Sequence, residues 1–353
     1  NMSAKFLHLN RNKRSIVLNL KKREGREAVL KLAERADVFL FNVRPSAMQR
    51  LRLTYDDVQA VNPGIVYCGL FGFGRGGRYR EKPAYDLVIQ GASGISALLH
   101  RSLGEPRYVP ITIADRTVGG IAVQMILMAL LQRTRTGKGA SIEVPMFENM
   151  VKYVLEEHMY LKTFVPPMGP TGDPRLFETS SRPIQTKDHW IAMSANTDAH
   201  AFALFDAIGK PELKTDPRFN SVAARFANIA EYLTVRAEAF KTKTTSEWLE
   251  ILEKADVPAI AYHTLDSVME DPHLHDVGFF QKVEHPTEGT VINMALPNKL
   301  STGDRKTFLP APKIGQQSVE ILREAGYSEQ EISRLIKAGV TLDGSLRDAV
   351  KTR

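Results

Sequence analysis

The chain has 353 residues, of which 43% are apolar and 25% charged, proportions typical of a globular protein with room for two domains. Its single cysteine, Cys68, excludes an intrachain disulfide and fits a reducing cytoplasm. The longest apolar run, residues 121–131, is too short to span a bilayer, and no secretory signal pattern opens the chain. We therefore expect a cytoplasmic protein with no membrane partner.

The net charge of +7 is concentrated near the N-terminus. Residues 1–52 carry 13 Lys and Arg against 4 Asp and Glu, so the remainder of the chain is slightly acidic. Aromatic residues do not alternate with these basic residues, and no nucleic-acid partner is therefore expected. A solvated helix face over residues 21–35 explains part of the excess, and a phosphate-bearing small ligand is the sharper interpretation.

Strand and helix patterns alternate in the first half of the chain and predict a parallel α/β sheet. Strands are expected at residues 15–20 (SIVLNL), 38–43 (VFLFNV), 62–71 and 141–146, with a helix at residues 24–36. Ligands of parallel sheets bind at the carboxyl ends of the strands. The loops that follow the first three strands are therefore the expected places for function.

Between these strands, the pattern predicts two further helices. Residues 86–99 (DLVIQGASGISALL) indicate a glycine-interrupted helix, and the apolar residues 118–131 indicate another. Residues 108–114 form a strand-like run that precedes the apolar helix. A helix is also expected from the end of strand 141–146 to about His158.

The remaining sequence predicts a second domain. The proposed division is listed in chain order: a large α/β domain at 1–165, a linker rich in Pro, Gly, Thr and Ser at 166–182, a small α+β domain at 183–301, and a C-terminal linker with helices that return to the large domain at 302–353. Capping boxes at Thr244 with Glu247 and at Ser328 with Glu331 mark two helix starts.

Several short motifs carry little functional signal. The glycine-rich loop at residues 72–77 (GFGRGG) does not match the dinucleotide fingerprint. Ser93 lies in GASG without the frame of a nucleophile elbow, and helix packing is the favoured interpretation. His263, His273 and His275 share no predicted face, so no metal is expected.

Two acids stand at helix starts and have two compatible interpretations. Asp86 opens the helix at 86–99, and Asp115 lies between two apolar segments of residues 111–120 (ITIADRTVGG). On pattern alone, an N-cap is slightly favoured for each. The helix dipole also stabilises a reactive carboxylate at this position, and Gly119 and Gly120 leave room for a substrate. A carboxylate can attack an activated acyl group, so the catalytic alternative stays open.

A set of longer motifs resembles the class III CoA-transferases of the formyl-CoA and carnitine-CoA transferase type. In family order the motifs are LNRNKRSIVLNL (9–20), ADVFLFNVRPSAMQRL (36–51), PAYDLVIQGASG (83–94), ADRTVGG (114–120), RTGKGASIEVPMFE (135–148), DVPAIAYHTLDSVMEDP (256–272) and PAPKIG (310–315). The resemblance implies a Rossmann-like large domain with a smaller α+β domain, in a homodimer whose chains interlock. It also implies acyl-CoA and a carboxylic acid acceptor as substrates, with coenzyme A and no metal.

The resemblance also implies roles for individual residues. Asp115 is the nucleophile, which forms first an aspartyl anhydride and then an aspartyl-CoA thioester. Asp86 and Tyr85 belong to the same site. The residues expected to contact CoA are Leu18, Lys21, Asn42, Val43, Arg44, Ala47, Arg50 and Leu51. Most of these residues belong to the basic segment or to strand ends, where the charge pattern already favours a phosphorylated ligand.

The related α-methylacyl-CoA racemases are an alternative, and Tyr85 argues against them. They carry a histidine before the acid that corresponds to Asp86, and that histidine moves an α-proton. Tyrosine, with a usual pKa of about 10, is a poor base at neutral pH. Transfer is thus favoured over racemisation, and a non-catalytic CoA-ester-binding protein is the third alternative.

The sequence departs from the family pattern in two places. The family's opening strand–helix–strand, which contributes to the CoA pocket, is expected to be missing ahead of residue 1. The family's glycine-rich substrate loop is not evident in residues 178–187 (ETSSRPIQTK). Arg175 and Arg182 are candidates to bind a second carboxylate there, with ordinary linker charges as the equal alternative.

Overall fold

The computed structural model describes residues 2–177, 182–302 and 308–345, apart from the side chain of Arg175. The chain forms two compact units, each assembled from segments distant in sequence. Unit 1 comprises Asn1–Ile89, Ile113–Asn149 and Glu270–Arg353, and unit 2 comprises Gln90–Thr112 and Met150–Met269. Of the region expected to hold a substrate loop, residues 178–181 lie outside the described part.

Helices and strands alternate along the chain. The described α-helices are α1 Ala4–Leu9, α2 Arg23–Ala33, α3 Pro45–Leu51, α4 Tyr55–Val61, α5 Asp86–Ser93, α6 Ile95–Leu103, α7 Ile113–Thr136, α8 Met146–His158, α9 Pro174–Phe177, α10 Asp198–Ala207, α11 Val222–Ala227, α12 Ile229–Phe240, α13 Thr245–Lys254, α14 Pro272–Asp276, α15 Ser318–Glu324 and α16 Glu329–Lys337. The strands are β1 Val38–Phe41, β2 Val66–Phe71, β3 Ala140–Pro145, β4 Ile184–Gln185, β5 Trp190–Met193, β6 Ala259–Ala261, β7 Phe280–His285 and β8 Gly289–Met294. Short 3₁₀ turns lie at Tyr160–Thr163, Pro211–Lys214 and Ser267–Glu270.

Unit 1 contains a parallel sheet with the strand order β1-β2-β3. Val66 of β2 pairs with Val38 on one side and with Ala140 on the other, so all three strands end at the same edge. The sequence predictions of strands at 38–43, 62–71 and 141–146 are confirmed. A mixed α/β fold with a parallel sheet is thereby established.

Aromatic packing stabilises this sheet on one face. The rings of Phe41 and Tyr67 have centroids 4.7 Å apart, and those of Phe41 and Phe71 are 5.8 Å apart. The Tyr67 hydroxyl donates to the backbone oxygen of Leu53 at 2.7 Å, and burial raises the pKa of Tyr67 to about 12. Because the hydroxyl remains protonated, it serves as a permanent donor that holds the chain after α3 against the sheet.

The strand predicted over residues 15–20 is wrong. This segment is irregular and is held by the C-terminal part of unit 1 instead of by a sheet. The Val17 nitrogen donates to Ser318 Oγ at 3.1 Å, and Thr341 Oγ1 donates to the Val17 oxygen at 2.7 Å. Side-chain hydroxyls thus satisfy backbone groups that a neighbouring strand would otherwise satisfy.

The strand-like run at residues 108–114 forms no strand, so that prediction is wrong: residues 108–112 are irregular and the last two residues begin α7. The side chain of Gln90 takes the place of a strand partner. Its Oε1 accepts from the Val109 nitrogen at 2.9 Å, and its Nε2 donates to the Ile111 oxygen at 3.1 Å. Since α7 begins at Ile113, Asp115 lies within the first turn of that helix.

The three predicted helices of this region are confirmed. The glycine-interrupted helix is α5 followed by α6, separated by Gly94 at φ +97°, a conformation that glycine adopts without a Cβ clash. The apolar helix is α7, which extends beyond the predicted residues at both ends. The helix to His158 is α8.

Helix α7 presents small and large apolar residues on different sides. Ala114, Val118, Ala122 and Ala129 are buried, and their small volume allows close packing against β2 and β3. The larger Leu127 is 60% exposed in the single chain. Among the described residues, α7 is the one helix long and apolar enough to cross a membrane by length and composition, a test that core helices also pass.

Unit 2 contains an antiparallel sheet of order β4-β5-β6 covered by helices. Its core includes Ile191, Leu204, Phe240 and Trp248. The Trp248 ring stacks on Phe240 at 4.6 Å, and its indole nitrogen donates to the Phe240 oxygen at 2.8 Å. Both predicted capping boxes are confirmed, one at the start of α13 in this unit and one at the start of α16 in unit 1.

Candidate active site

A cavity of about 630 Å³ lies in unit 1 at the carboxyl ends of the parallel strands. All three strands contribute to it, because Asn42 follows β1, Gly72 follows β2 and Met146 follows β3. The described residues that line it are Asn42, Val43, Arg44, Leu70, Phe71, Gly72, Lys82, Pro83, Ala84, Tyr85, Asp115, Val118 and Met146. The cavity therefore occupies the place where parallel α/β sheets bind their ligands.

Asp86 caps the start of α7, although it belongs to α5. Its Oδ1 accepts hydrogen bonds from the backbone nitrogens of Ala114 at 2.8 Å and of Asp115 at 3.1 Å. Asp86 and Ala114 are both buried, so this cap replaces the water that an exposed helix end would bind. The cap of α7 is therefore supplied from a position 29 residues before Asp115.

Asp115 is not a helix cap. It is the third residue of α7 and lines the cavity. Within the part of the chain that the structure describes, its carboxylate accepts no hydrogen bond and makes no ion pair. Because Asp86 performs the capping role, the Asp115 carboxylate can interact with a bound molecule. Of the two interpretations left open by the sequence, the catalytic one is thus compatible with the geometry.

The electrostatic environment disfavours the ionised form of Asp115. Asp115 is exposed in the single chain, yet partial desolvation first, and the negative charge of Asp86 second, raise the pKa of its carboxyl above the usual value. Lys5 and Arg116 lower it and only partly offset the rise. Carboxylates with such a perturbed pKa cluster at functional sites.

The raised pKa predicts a pH-dependent effect of Asp115→Asn on stability. At a pH below the usual aspartate value of about 3.9, the group is protonated in both the folded and the unfolded chain. The relative stability that it confers there is lost as the pH rises through the raised folded pKa. We therefore expect the variant to gain stability over the wild type between acidic and neutral pH, by a small amount because the side chain is exposed to screening solvent. Thermal denaturation of the variant and the wild type across this pH range measures the difference in stability. A stability difference that does not change with pH contradicts the raised pKa of Asp115.

Tyr85 and the glycines of α7 border open space near Asp115. Tyr85 lines the cavity and is 81% exposed. A methyl group placed on Gly119 or Gly120 meets no heavy atom within 4 Å. Gly119 follows Asp115 by four residues, which places both on one face of the helix. A substrate can therefore approach the carboxylate along this face.

The predicted CoA contacts divide into two groups. Asn42, Val43 and Arg44 line the cavity, and Arg44 Nη1 donates to the backbone oxygen of Glu81 at 3.2 Å. The remaining five do not line it. Ala47, Arg50 and Leu51 lie on α3, Leu18 packs against the core formed with α15 and α16, and Lys21 is exposed. The structure thus brings three of the eight to the cavity wall.

Two cations near this cavity were not selected from the sequence. Lys82 lines the cavity, with its ammonium 4.0 Å from the centroid of the Tyr79 ring. Lys5 of α1 is close enough to Asp115 to lower its pKa. Lys82 directly precedes the PAYD motif, so its position in the sequence could have marked it as a site residue. Lys5 is distant in sequence from Asp115, and only tertiary packing brings the two together.

Two backbone nitrogens of the glycine-rich loop at residues 72–77 donate hydrogen bonds to carboxylates, one on β3 and one on α8. The Gly74 nitrogen donates to Glu148 Oε1 at 3.0 Å, and the Arg75 nitrogen donates to Glu143 Oε1 at 2.6 Å. Glu143 belongs to β3 and Glu148 to α8. The loop is therefore a fixed wall beside the cavity, and its glycines allow the backbone to lie close to these acids.

Fold and cavity together define an α/β protein with an anion-compatible site at the strand ends. The chain belongs to CoA-transferase family III, whose sequence profile matches residues 1–318, and it is a CoA-transferase. The acetyl-CoA:oxalate CoA-transferase of Acetobacter aceti is 32% identical over 93% of this chain and 83% of its own length. The succinyl-CoA:glutarate CoA-transferase of Homo sapiens is 27% identical over 96% of this chain and 77% of its own length.

The fold is also similar to that of solved structures. The crystal structure of Rv3272 from Mycobacterium tuberculosis superposes with a TM-score of 0.77 and 28% sequence identity. The match covers 89% of this chain and 82% of that chain. The sequence relatives and the solved structure therefore both match this chain over most of its length.

Proposed function

We propose that the enzyme transfers CoA from an acyl-CoA to a free carboxylic acid through covalent intermediates on Asp115. The observation that carries this proposal is the position of the Asp115 carboxylate, which lines the strand-end cavity while Asp86 caps the helix. An aspartate whose pKa is raised by burial is a carboxylate poorly stabilised by its surroundings. Such a carboxylate is suited to attack an activated acyl group.

The first half-reaction exchanges the donor acid for CoA on the enzyme. An Asp115 carboxylate oxygen attacks the thioester carbonyl carbon, the carbon–sulfur bond breaks, and CoA leaves as a thiolate. The product is a mixed anhydride between Asp115 and the donor acid. The thiolate then attacks the Asp115 carbonyl carbon of this anhydride, which releases the donor carboxylate and leaves an aspartyl-CoA thioester.

The second half-reaction reverses these bonds with a new acid. The acceptor carboxylate attacks the aspartyl thioester, which forms a second anhydride and releases the CoA thiolate. The thiolate attacks the acyl carbon derived from the acceptor, producing the new acyl-CoA and restoring the Asp115 carboxylate. One thioester replaces another, so the covalent route conserves the energy of the thioester bond.

The cavity offers cations for the phosphates of CoA. Arg44 and Lys82 lie on its wall, and a cluster of one sign attracts a ligand of the other sign. Asn42 and Val43 contribute polar and apolar contacts beside them. We propose that these residues bind CoA together with those that the family resemblance implies, namely Leu18, Lys21, Ala47, Arg50 and Leu51.

The acceptor is proposed to be a small carboxylic acid. Two similar enzymes have glutarate and oxalate in their names, and both of these acids are small dicarboxylates. The anhydride mechanism itself requires one carboxylate of the acceptor to reach Asp115. Small dicarboxylates are accordingly the first acceptors to assay.

The proposed intermediates are tested by mass spectrometry of the peptide that contains Asp115. After incubation with an acyl-CoA, hydroxylamine converts an aspartyl anhydride or thioester into a hydroxamate, and borohydride reduces the thioester. We expect a mass change at Asp115 only when acyl-CoA is present. If the enzyme binds and transfers CoA without any mass change at Asp115, the covalent route is contradicted. If the enzyme instead incorporates solvent deuterium at the α-carbon of the acyl-CoA without transferring CoA, it is a racemase.

We also propose an interlocked homodimer, supported by the exposed apolar side of α7. Val123, Leu127 and Leu131 recur at intervals of four residues and each exposes more than half of its surface in the single chain. Contiguous apolar surface of this kind marks an interaction site. A second copy of the chain would remove it from water.

The dimer proposal predicts a monomer for Leu127→Glu. A carboxylate at this position would have to be desolvated in the interface, which costs several kcal/mol. Size-exclusion chromatography with light scattering measures the mass of each species. Gln132→Glu, at an exposed position on the same helix, is the matched control and should remain dimeric. A monomeric wild type, or an unchanged dimer in Leu127→Glu, contradicts the proposal.

A further inference from the structure

A second cavity, of about 500 Å³, lies within unit 2 and is separate in its residues from the Asp115 cavity. One wall consists of the end of β5 and the residues that follow it, including Ser194 and Asn196. The opposite wall comes from α11 and α12, which carry Arg225 and Arg236. Its volume lies in the range of small-molecule sites.

Arg236 is a buried cation in this wall and has no ionic partner among the residues that the structure describes. Only 7% of its surface is exposed, and its Nε has no hydrogen-bond acceptor among the described residues. Its Nη2 contacts the sulfur of Met193 at 3.2 Å, and its guanidinium lies 5.3 Å from the centroid of the Tyr232 ring. The Tyr232 side chain also hydrogen-bonds this guanidinium. A thioether and a phenol are neutral partners for a full positive charge, so no anion among the described residues compensates it.

Arg225 in the same cavity shows what a compensated arginine looks like. Its Nη2 pairs with Asp198 Oδ1 at 2.7 Å, and its Nη1 donates to the Phe219 oxygen at 2.9 Å. Both arginines are almost fully buried, yet within the described part of the chain only Arg225 pairs with a carboxylate. Burial lowers the pKa of Arg236 from its usual value, consistent with the cost of holding this charge away from water.

The remaining lining specifies the ligand. None of the described residues that line the cavity is Asp or Glu, and Arg182 is a third lining arginine beside Arg225 and Arg236. Leu176, Ile229 and Leu233 supply apolar surface. Guanidinium groups bind carboxylates with paired hydrogen bonds, and the apolar wall favours a hydrocarbon body.

We infer that unit 2 binds a small organic acid, with its carboxylate on Arg236 and its apolar body against α12. The ligand supplies the negative charge that the described residues around Arg236 do not supply. All of the described residues that line this site belong to unit 2, and none of them lines the Asp115 cavity. It gives a role to Arg182, which the sequence singled out as a candidate for a second carboxylate.

The inference is tested by calorimetric titration of the full chain with hexanoate, 1-hexanol and inorganic phosphate. We expect hexanoate to bind, hexanol to bind much more weakly for lack of charge, and phosphate to bind much more weakly for lack of an apolar body. Arg236→Met conserves most of the side-chain volume and should weaken hexanoate binding about tenfold or more. Arg218→Gln, in the same unit and paired with Asp216 and Glu231, should leave binding unchanged.

A thermal denaturation measurement separates a binding role from a structural one. Replacing an uncompensated buried charge by an apolar side chain of similar volume is often neutral or stabilising, so ligand-free Arg236→Met should be at least as stable as the wild type. Arg182→Gln, at an exposed position, offers a second variant without risk to the core and should weaken hexanoate binding by a few-fold. Hexanoate binding that is unchanged in Arg236→Met, or no stronger than that of hexanol or phosphate, overturns the inference.

Discussion

Asp115→Asn is expected to reduce the rate of CoA transfer by roughly a thousandfold or more. The substitution preserves the shape of the side chain and removes the nucleophilic oxygen, so neither the anhydride nor the thioester can form. Because the residue lines the cavity without capping the helix, the loss should affect kcat while CoA binding persists. Steady-state kinetics together with CoA titration measure both effects.

Asp56→Asn is the matched control for this substitution. Asp56 is an exposed acid in the first turn of α4, also in unit 1, and it does not line the cavity. The Asp56→Asn variant should transfer CoA at the wild-type rate, and the acyl-CoA-dependent mass change at Asp115 should persist. Transfer by Asp115→Asn within tenfold of the wild type would rule out the proposed nucleophile.

Asp86→Ala should lower both stability and transfer. It removes the acceptor for the nitrogens of Ala114 and Asp115, and an unsatisfied buried donor costs about 1–3 kcal/mol. The first turn of α7 also carries Asp115, so loosening this turn misplaces the carboxylate. Denaturant unfolding measures the free energy of unfolding, and a transfer assay well below the melting temperature measures activity.

Asp57→Ala is the control that separates these two effects. Asp57 completes the capping box of α4 with Thr54, accepting its backbone nitrogen at 2.8 Å, far in sequence from the proposed nucleophile. Its loss should cost about 1 kcal/mol of stability and leave transfer unchanged. If Asp86→Ala retains as much activity as Asp57→Ala, Asp86 is only a helix cap and the proposed positioning of Asp115 is wrong.

Local sequence patterns identified some strands of this protein and not others. Strands β1 and β2 were predictable because continuous apolar runs of that length are favoured in a buried parallel sheet. Strand β3 alternates buried Ile142 and Val144 with exposed Ser141 and Glu143, which is the period of a half-buried strand. The runs at 15–20 and 108–114 have similar composition and form no strand. Their backbone groups bond to side chains of Ser318 and Gln90, partners that no local pattern identifies.

The candidate site was likewise predictable only in part. The motifs around Asp115, Asp86 and Arg44 indicated the family and the strand ends at which a ligand binds. Lys82 was missed although it precedes a recognised motif. The uncompensated charge of Arg236 had no signal in the sequence, because whether an arginine lacks a partner depends on which acids the fold brings near it.

The sequence by itself determined the class of this protein, since its motifs follow the order of a CoA-transferase family over most of the chain. It also identified the two acids, although either could have capped a helix. Only the tertiary structure showed which of them caps α7, because the Asp86 carboxylate on α5 reaches the start of that helix, while Asp115 lines the cavity. Hydrogen-bond partners and desolvation are set by residues distant in sequence, and these decide whether an acid caps a helix or is available for chemistry.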